Sequence, residues 1–198
     1  QEFITNFNNQ RKQVKTYNAF YPSFGVKKDE PCTFLIYGQA SKRWPIEFNT
    51  DMSPSKKRLS DLLINCKAHS NEFYKDSIRQ HNPLDWINVN WSNRTYADSI
   101  AILNDKYFYP QTMKYRAFSS FFWNVVYKTI NDYQNADRNS WVWSSKMVWS
   151  NLYKIAPSSG NPSYSEKSYQ VELSLQLVKK EIEEINPKYC IVITNNEW

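Results

Sequence analysis

Two short, almost wholly apolar runs constrain the fold of this chain more than any other feature. The first is Thr33–Tyr37, which stops at Gly38, and the second is Tyr189–Thr194. Runs of this length without polar alternation are typical of strands that are buried on both faces of a parallel sheet. A third apolar run, Met147–Trp149, leads into Leu152 and Tyr153 and predicts another buried strand.

Segments with helical periodicity lie between these strands. Ser53-Pro54 opens a predicted helix that runs to about Cys66, and helical spacing returns over 111–133. Ser163, with Glu166 three residues later, forms a capping-box pattern at the start of a long predicted helix. The apolar residues expected on inner faces are Leu59, Leu62 and Leu63 in the first helix, Phe118, Phe121, Phe122, Val125, Val126 and Ile130 in the second, and Val171, Leu175, Val178, Ile182 and Ile185 in the third. Shorter helices over 71–80 and 97–104, and a strand or extended loop over 86–91, are also predicted.

Strands that alternate with helices predict an α/β protein, in the form of a three-layer α/β/α sandwich with a mostly parallel central sheet. A length of 198 residues fits a single domain over 1–198. No apolar run reaches the roughly 18–20 residues that span a bilayer, and no signal-peptide pattern opens the chain. We therefore expect no membrane partner and a cytoplasmic location.

The cysteines and the charge narrow the choice of partners. Cys32, Cys66 and Cys190 are odd in number and widely spaced, which suits neither a disulfide framework nor a metal knuckle. We expect no metal and no cofactor. The net charge of +6 favours a polyanion such as DNA as a partner, with a merely solvated basic surface as the alternative.

The candidate site lies in the stretch 149–162, which reads WSNLYKIAPSSGNP. Asn151 and Lys154 follow a predicted strand, and a turn-rich loop then leads to a helix. Crevices form at the carboxyl ends of strands in open α/β sheets, and a helix N-terminus favours anionic groups. A simple strand–loop–helix connection without a site is the alternative.

Three segments, in this order, resemble the uracil-DNA glycosylase superfamily. Phe34–Ala40 is similar to its first motif, an apolar strand that ends in Gly-Gln or Gly-Glu, and Gly38, Ala40 and Trp44 resemble a divergent, uncharacterised branch. Asn151, Lys154, Pro157, Gly160, Asn161 and Pro162 are similar to the Asn-x-x-Lys…Pro…Gly-Asn…Pro segment of the iron–sulfur branch. The stretch 181–194 is similar to the family's last helix, its Pro-Lys connection and the strand that follows.

The resemblance implies an enzyme that flips uracil out of DNA and hydrolyses its N-glycosidic bond. Asn151 would recognise the base, since an amide offers one donor and one acceptor to the uracil edge. The resemblance implies further binding residues of two kinds: Gly38, Gln39, Ala40, Trp44 and Phe48 around the base, and Lys42, Arg43, Lys154, Ser158, Ser159, Gly160 and Asn161 on nucleic acid. Gly38 and Asn151 should then face one crevice at the carboxyl edge of a parallel sheet.

The sequence also departs from the family pattern. Ala40-Ser41-Lys42 stands where the well-studied enzymes carry an Asp or Asn soon after Gly-Gln, so the weak catalytic candidates are Ser41, Glu47 and Asp51. The family's His-Pro-Ser loop has no counterpart before Trp198, and three scattered cysteines do not supply the four ligands of an iron–sulfur cluster. Two alternatives stay open: an inactive nucleic-acid or nucleotide binder of the same fold, and an aromatic-rich module that binds carbohydrate or protein.

Overall fold

The computed structural model describes residues 16–27, 29–40, 46–49, 56–71, 84, 87, 120–135, 143–158 and 160–194. The strands are β1 (Thr16–Ala19), β2 (Ser23–Phe24), β3 (Phe34–Gly38), β4 (Glu47–Asn49), β5 (Met147–Asn151), β6 (Ile155–Pro157) and β7 (Tyr189–Val192). The α-helices are α1 (Lys56–Asn71), α2 (Phe121–Gln134), α3 (Tyr164–Ser168) and α4 (Val171–Ile185), and a 3₁₀ turn spans Trp143–Lys146. The predicted segments over 72–80, 86–91 and 97–104 lie outside the described residues, except for the buried Ile87.

The larger sheet contains the three strands that the apolar runs predicted. Its order is β2-β5-β3-β7. Strand β3 pairs in parallel with both β5 and β7, whereas the two-residue β2 pairs antiparallel with β5. The prediction of an α/β protein with parallel strands is confirmed at this level.

Helices α2 and α4 pack against opposite faces of this sheet. On the α2 face, Phe34, Ile36, Met147 and Trp149 form one core cluster with residues of α2, which are Trp123, Val126, Tyr127 and Ile130. On the α4 face, Leu35, Tyr37 and Val148 pack with Val178 and Ile185. Side chains alternate between the two faces of a strand, so burial on both faces explains why β3 carries no polar alternation.

A second sheet was not predicted. It is antiparallel, with the order β4-β1-β6. Tyr17 of β1 stacks on Phe48 of β4, with ring centroids 6.0 Å apart, and Leu59 and Leu62 of α1 pack against the same cluster. The Tyr17 hydroxyl donates a hydrogen bond of 2.6 Å to Glu166 of α3. Strands of three or four residues with mixed polarity give too little periodicity to be recognised in a sequence.

Several predictions about burial are wrong, among them that for Phe121 of α2, which is 77% exposed. Strand β7 lies at the edge of the larger sheet among the described strands, and Tyr189 and Val192 are 41% and 53% exposed. Leu63 of α1 is 59% exposed, whereas Leu59 and Leu62 face the core as predicted. An apolar run indicates a strand but does not reveal whether a neighbour lies on both sides of it.

The long helix predicted from Ser163 is two helices. Its capping box is confirmed, because the Ser163 hydroxyl and the Glu166 backbone are hydrogen-bonded and the Glu166 carboxylate accepts from the Ser163 backbone. The chain then turns at Gln170, whose side-chain amide donates to the Ile155 carbonyl and accepts from the Ile155 N–H. This side chain ties the start of α4 to β6. The apolar stripe of α4 is only partly covered, since Val171, Leu175 and Ile182 remain exposed.

Within the described residues, no helix has both the length and the apolar character needed to cross a membrane.

The three thiols should react at different rates. Cys32 and Cys66 are buried, and burial raises the pKa of each thiol to about 11, whereas Cys190 on β7 is exposed. We expect an aromatic disulfide reagent at mildly alkaline pH to modify Cys190 first and the other two only on unfolding. Cys190→Ser should remove the fast phase. A fast phase that survives this change would contradict the exposed position of β7.

Stability should fall as the pH rises from about 9 to about 11. The folded state holds the protons of Cys32 and Cys66 above the ordinary thiol pKa of 9.0, so it binds more protons than the unfolded state in this range. Denaturant unfolding at several pH values measures the loss. Cys66→Ala should lose less stability over this range than the original protein does, and an equal loss in both would contradict a raised Cys66 pKa.

Candidate functional site

The two motif residues Gly38 and Asn151 lie side by side at the carboxyl ends of parallel strands. Gly38 ends β3, Asn151 ends β5, and the two are direct partners in the register. Their predicted proximity is confirmed. Core packing fixes this register. Leu35 pairs with Val148 and both pack on the α4 face, whereas Ile36 pairs with Trp149 and both pack on the α2 face.

Gly38 leaves room for the Asn151 side chain. A Cβ atom on Gly38 would lie 2.7 Å from Asn151 Oδ1 and 3.2 Å from Cε2 of Phe122. The amide therefore extends over Gly38 on the α2 face of the sheet, next to the Phe122 ring. Asn151 itself is only 2% exposed.

The first turn of α2 contributes the part of this site that the sequence did not identify. Phe122 was assigned to the apolar core stripe, but its ring also borders Gly38. Ser120 caps the helix by accepting a hydrogen bond from the Trp123 N–H, and the first turn carries no acidic residue. The N-terminal turn of α2, where the positive end of the helix dipole lies, thus borders Gly38 through the Phe122 ring. The Ser120 cap was the available sequence signal, since it marks where α2 begins.

The backbone of the first motif is bound to the second motif. The Leu152 N–H donates to the Gly38 carbonyl and the Tyr153 N–H donates to the Gln39 carbonyl, both at 2.9 Å. Gln39 and Ala40 are half-buried. The Gly38 and Gln39 carbonyls already have partners, so these residues shape the site more than they offer acceptors to a ligand.

Lys154 lies in a buried polar network on the opposite, α4 face. Its Nζ atom is 2.7 Å from Glu181 Oε1, 2.6 Å from Ser150 Oγ and 2.7 Å from the Asn151 carbonyl oxygen. Glu181 Oε2 accepts hydrogen bonds of 2.9 Å from the hydroxyls of Tyr37 and Ser150. Glu181 stands in a run of charged residues over 179–184 that predicts the solvated side of its helix. That prediction is wrong for Glu181, since its side chain is only 14% exposed.

Burial sets the electrostatics of this network. Desolvation lowers the pKa of Lys154, and the nearby Glu181 carboxylate opposes that shift. Desolvation also raises the pKa of Tyr37, and Glu181 raises it further. Tyr37 therefore stays protonated and donates to the carboxylate. The Lys154 ammonium is surrounded by acceptors from Glu181, Ser150 and Asn151. To make the predicted contact with phosphate, the ammonium would have to leave this network.

The described residues of the loop over 158–161, which are Ser158, Gly160 and Asn161, show little that would hold an anion. The Ser158 N–H donates to the Thr16 carbonyl, the Gly160 N–H donates to the Pro157 carbonyl, and Asn161 is exposed. The helix that follows is only five residues long, and the Glu166 carboxylate already accepts from the Ser163 N–H at 2.7 Å. The prediction of an anion site at this helix N-terminus is wrong, because the Glu166 carboxylate already accepts the hydrogen bond there.

The remaining candidates separate into three groups. Phe48 is buried against Tyr17 in the smaller sheet, so its ring is not available to stack on a base, and this prediction is corrected. Glu47 precedes it on β4 and is exposed. Ser41, Lys42, Arg43, Trp44, Asp51 and Ser159 lie outside the described residues.

The described residues contain no cluster of three or more His, Cys, Asp or Glu side chains that could hold a metal ion. Comparisons with known proteins found no matching family model, no matching curated protein and no matching solved structure. Functional inference therefore depends on the residues at the ends of β3 and β5.

Gly38→Ala and Gly160→Ala form a matched pair that tests the packing of the site. The new methyl group at Gly38 would overlap Asn151 Oδ1, whereas a Cβ on Gly160 meets nothing within 4 Å. We expect Gly38→Ala to lower the free energy of unfolding by about 1–3 kcal/mol, as overpacking does. Gly160→Ala should be neutral or stabilise by up to about 1 kcal/mol. Denaturant titration measures both, and equal effects would contradict the close Gly38–Asn151 contact.

Proposed function

We propose that this protein is a uracil-DNA glycosylase-like enzyme that binds a flipped-out uracil, or a related base, and hydrolyses its N-glycosidic bond in DNA. One observation carries the proposal. The Gly-Gln strand and the Asn-x-x-Lys strand, recognised separately in the sequence, are parallel neighbours whose motif residues Gly38 and Asn151 are partners. Ligand sites of open α/β sheets lie at this edge.

The chemistry of the residues around Asn151 supports a nucleobase as the ligand. An Asn amide carries a donor and an acceptor, and this pair complements the alternating groups on a uracil edge. The half-buried Phe122 ring adds an apolar surface beside it. The α2 N-terminus, whose first turn carries no acidic residue, favours the negative charge that a departing base acquires.

The proposal extends to the architecture and the partner. We assign the chain to a three-layer α/β/α sandwich of glycosylase type, supported by the helices on both faces of the parallel strands. DNA as a partner is supported by the net charge of +6. A cytoplasmic location is supported by three free thiols, two of them buried.

A second candidate function is nucleic-acid or nucleotide binding without hydrolysis. It is favoured by Ala40-Ser41-Lys42, which places no carboxylate immediately after the Gly-Gln turn. Hydrolysis of the bond needs a group that orients water and opposes the positive charge on the sugar. Glu47 and Asp51 are the acidic candidates for that role, and Glu47 is exposed on β4.

A base-release assay on a uracil-containing single-stranded oligonucleotide tests the first proposal. The original protein should release uracil and leave an abasic site. Asn151→Asp replaces an amide donor with an acceptor, and the lost hydrogen bond should reduce release by about 10- to 100-fold, equivalent to roughly 1–3 kcal/mol. Asn49→Asp is the matched control, because Asn49 is exposed on β4 of the smaller sheet, where its side chain accepts from the Thr16 hydroxyl.

The outcomes separate the two candidate functions. Uracil release that Asn151→Asp reduces and Asn49→Asp preserves supports the enzyme. Salt-dependent binding of the oligonucleotide without release supports the non-catalytic binder, since counterion release accompanies phosphate contact. Absence of both release and binding contradicts both candidates.

A further inference from the structure

The buried network around Lys154 lies directly behind the candidate base site. Tyr37 and Ser150, which bind Glu181, immediately precede Gly38 and Asn151 along β3 and β5. Successive strand residues point to opposite faces. The network therefore occupies the α4 face at the same level of the sheet at which the Asn151 amide occupies the α2 face.

The Lys154 ammonium also binds the backbone of the candidate base-recognition residue. Its Nζ atom donates to the Asn151 carbonyl at 2.7 Å, and Glu181 of α4 holds the same ammonium at 2.7 Å. The side chains of Lys154 and Glu181 are only 13% and 14% exposed. A helix is thus tied to the last residue of β5 through a charged pair that has little access to solvent.

We propose that Lys154 and Glu181 are positioning residues that fix the orientation of Asn151, and that Lys154 is not a phosphate ligand. This inference rests on the proposed function, in which Asn151 recognises the base. The ammonium makes four short contacts within the protein, two of them with the Glu181 carboxylate. Moving the ammonium to a phosphate would leave this carboxylate without its cation. Fixing the Asn151 carbonyl also restricts rotation of the peptide plane that adjoins its side chain.

The test uses a variant that keeps the interior free of an unpaired charge. Lys154→Met alone would strand the Glu181 carboxylate and could prevent folding. The double variant Lys154→Met/Glu181→Gln removes both charges, while the Gln oxygen still accepts from Tyr37 and Ser150. Lys179→Met on the same helix is the control, because Lys179 is exposed.

Two readouts distinguish positioning from phosphate binding. The first is the affinity for single-stranded oligonucleotides with one uracil or one thymine, measured over a series of salt concentrations. A positioning pair should lose about 10-fold in uracil preference when changed, with an unaltered salt dependence. A phosphate ligand would instead lower the slope of log affinity against log salt by about 0.7 and leave the preference unchanged.

The second readout needs no nucleic acid. The side-chain amide resonances of Asn151, assigned by their loss in Asn151→Asp, should shift in the double variant and stay in place in Lys179→Met. If the original protein shows no uracil preference, the proposed function fails and the amide resonances alone decide the positioning role. Unshifted resonances, or a reduced salt slope, would overturn the inference.

Discussion

The parallel pairing of β3 with β5 is the contact on which the rest of the structure depends. Its register sets Tyr37 opposite Ser150 and Gly38 opposite Asn151, so the polar network and the candidate base site follow one another along the same two strands. Strand side chains alternate with a period of two. A slip of β5 by one residue would turn Asn151 toward α4 and Ser150 toward α2, and would destroy both arrangements at once.

Hydrophobic patterning could predict the centre of the fold but not its borders. β3 and β5 are buried along their whole length, and they are recognisable because consecutive apolar residues begin each of them. The smaller sheet and the break at Gln170 depend on contacts distant in sequence. Tyr17 donates a hydrogen bond to Glu166, which lies 149 positions away in the sequence. The Gln170 side chain binds the Ile155 backbone N–H and carbonyl, as a neighbouring strand would. No local pattern encodes such pairings. For the same reason the apolar run of β7 predicts a buried strand, although β7 lies at the edge of its sheet among the described strands.

Prediction of the candidate site was also limited to what local sequence patterns encode. Gly38 and Asn151 were identified because each ends an apolar run, and such ends meet in a parallel sheet. Phe122 was overlooked because its spacing fits a core stripe, and a residue can serve the core and border a site at once. The sequence predicts that Lys154 contacts phosphate, because it follows a strand and precedes a turn-rich loop. Its partner Glu181 stands in a run of charges that resembles a solvated helix face, so the sequence gives no sign of the pair. A run of charged residues predicts a solvated helix face, but it does not show which of its side chains faces the protein interior.

The position of the Lys154–Glu181 pair argues that its importance lies in geometry more than in stability. Desolvation of two charges offsets much of their attraction, and apolar side chains of similar size often fill such a space at no loss of stability. A buried pair does, however, penalise every arrangement that separates its members. Here the members lie on α4 and just beyond β5, and Tyr37 of β3 binds the same carboxylate. Any shift of α4 or of the end of β5 would leave a charge unpaired in the interior. The pair thus restricts movement of the strand end that carries Asn151, which is the requirement a hydrogen-bonding amide must meet to discriminate one base edge from another.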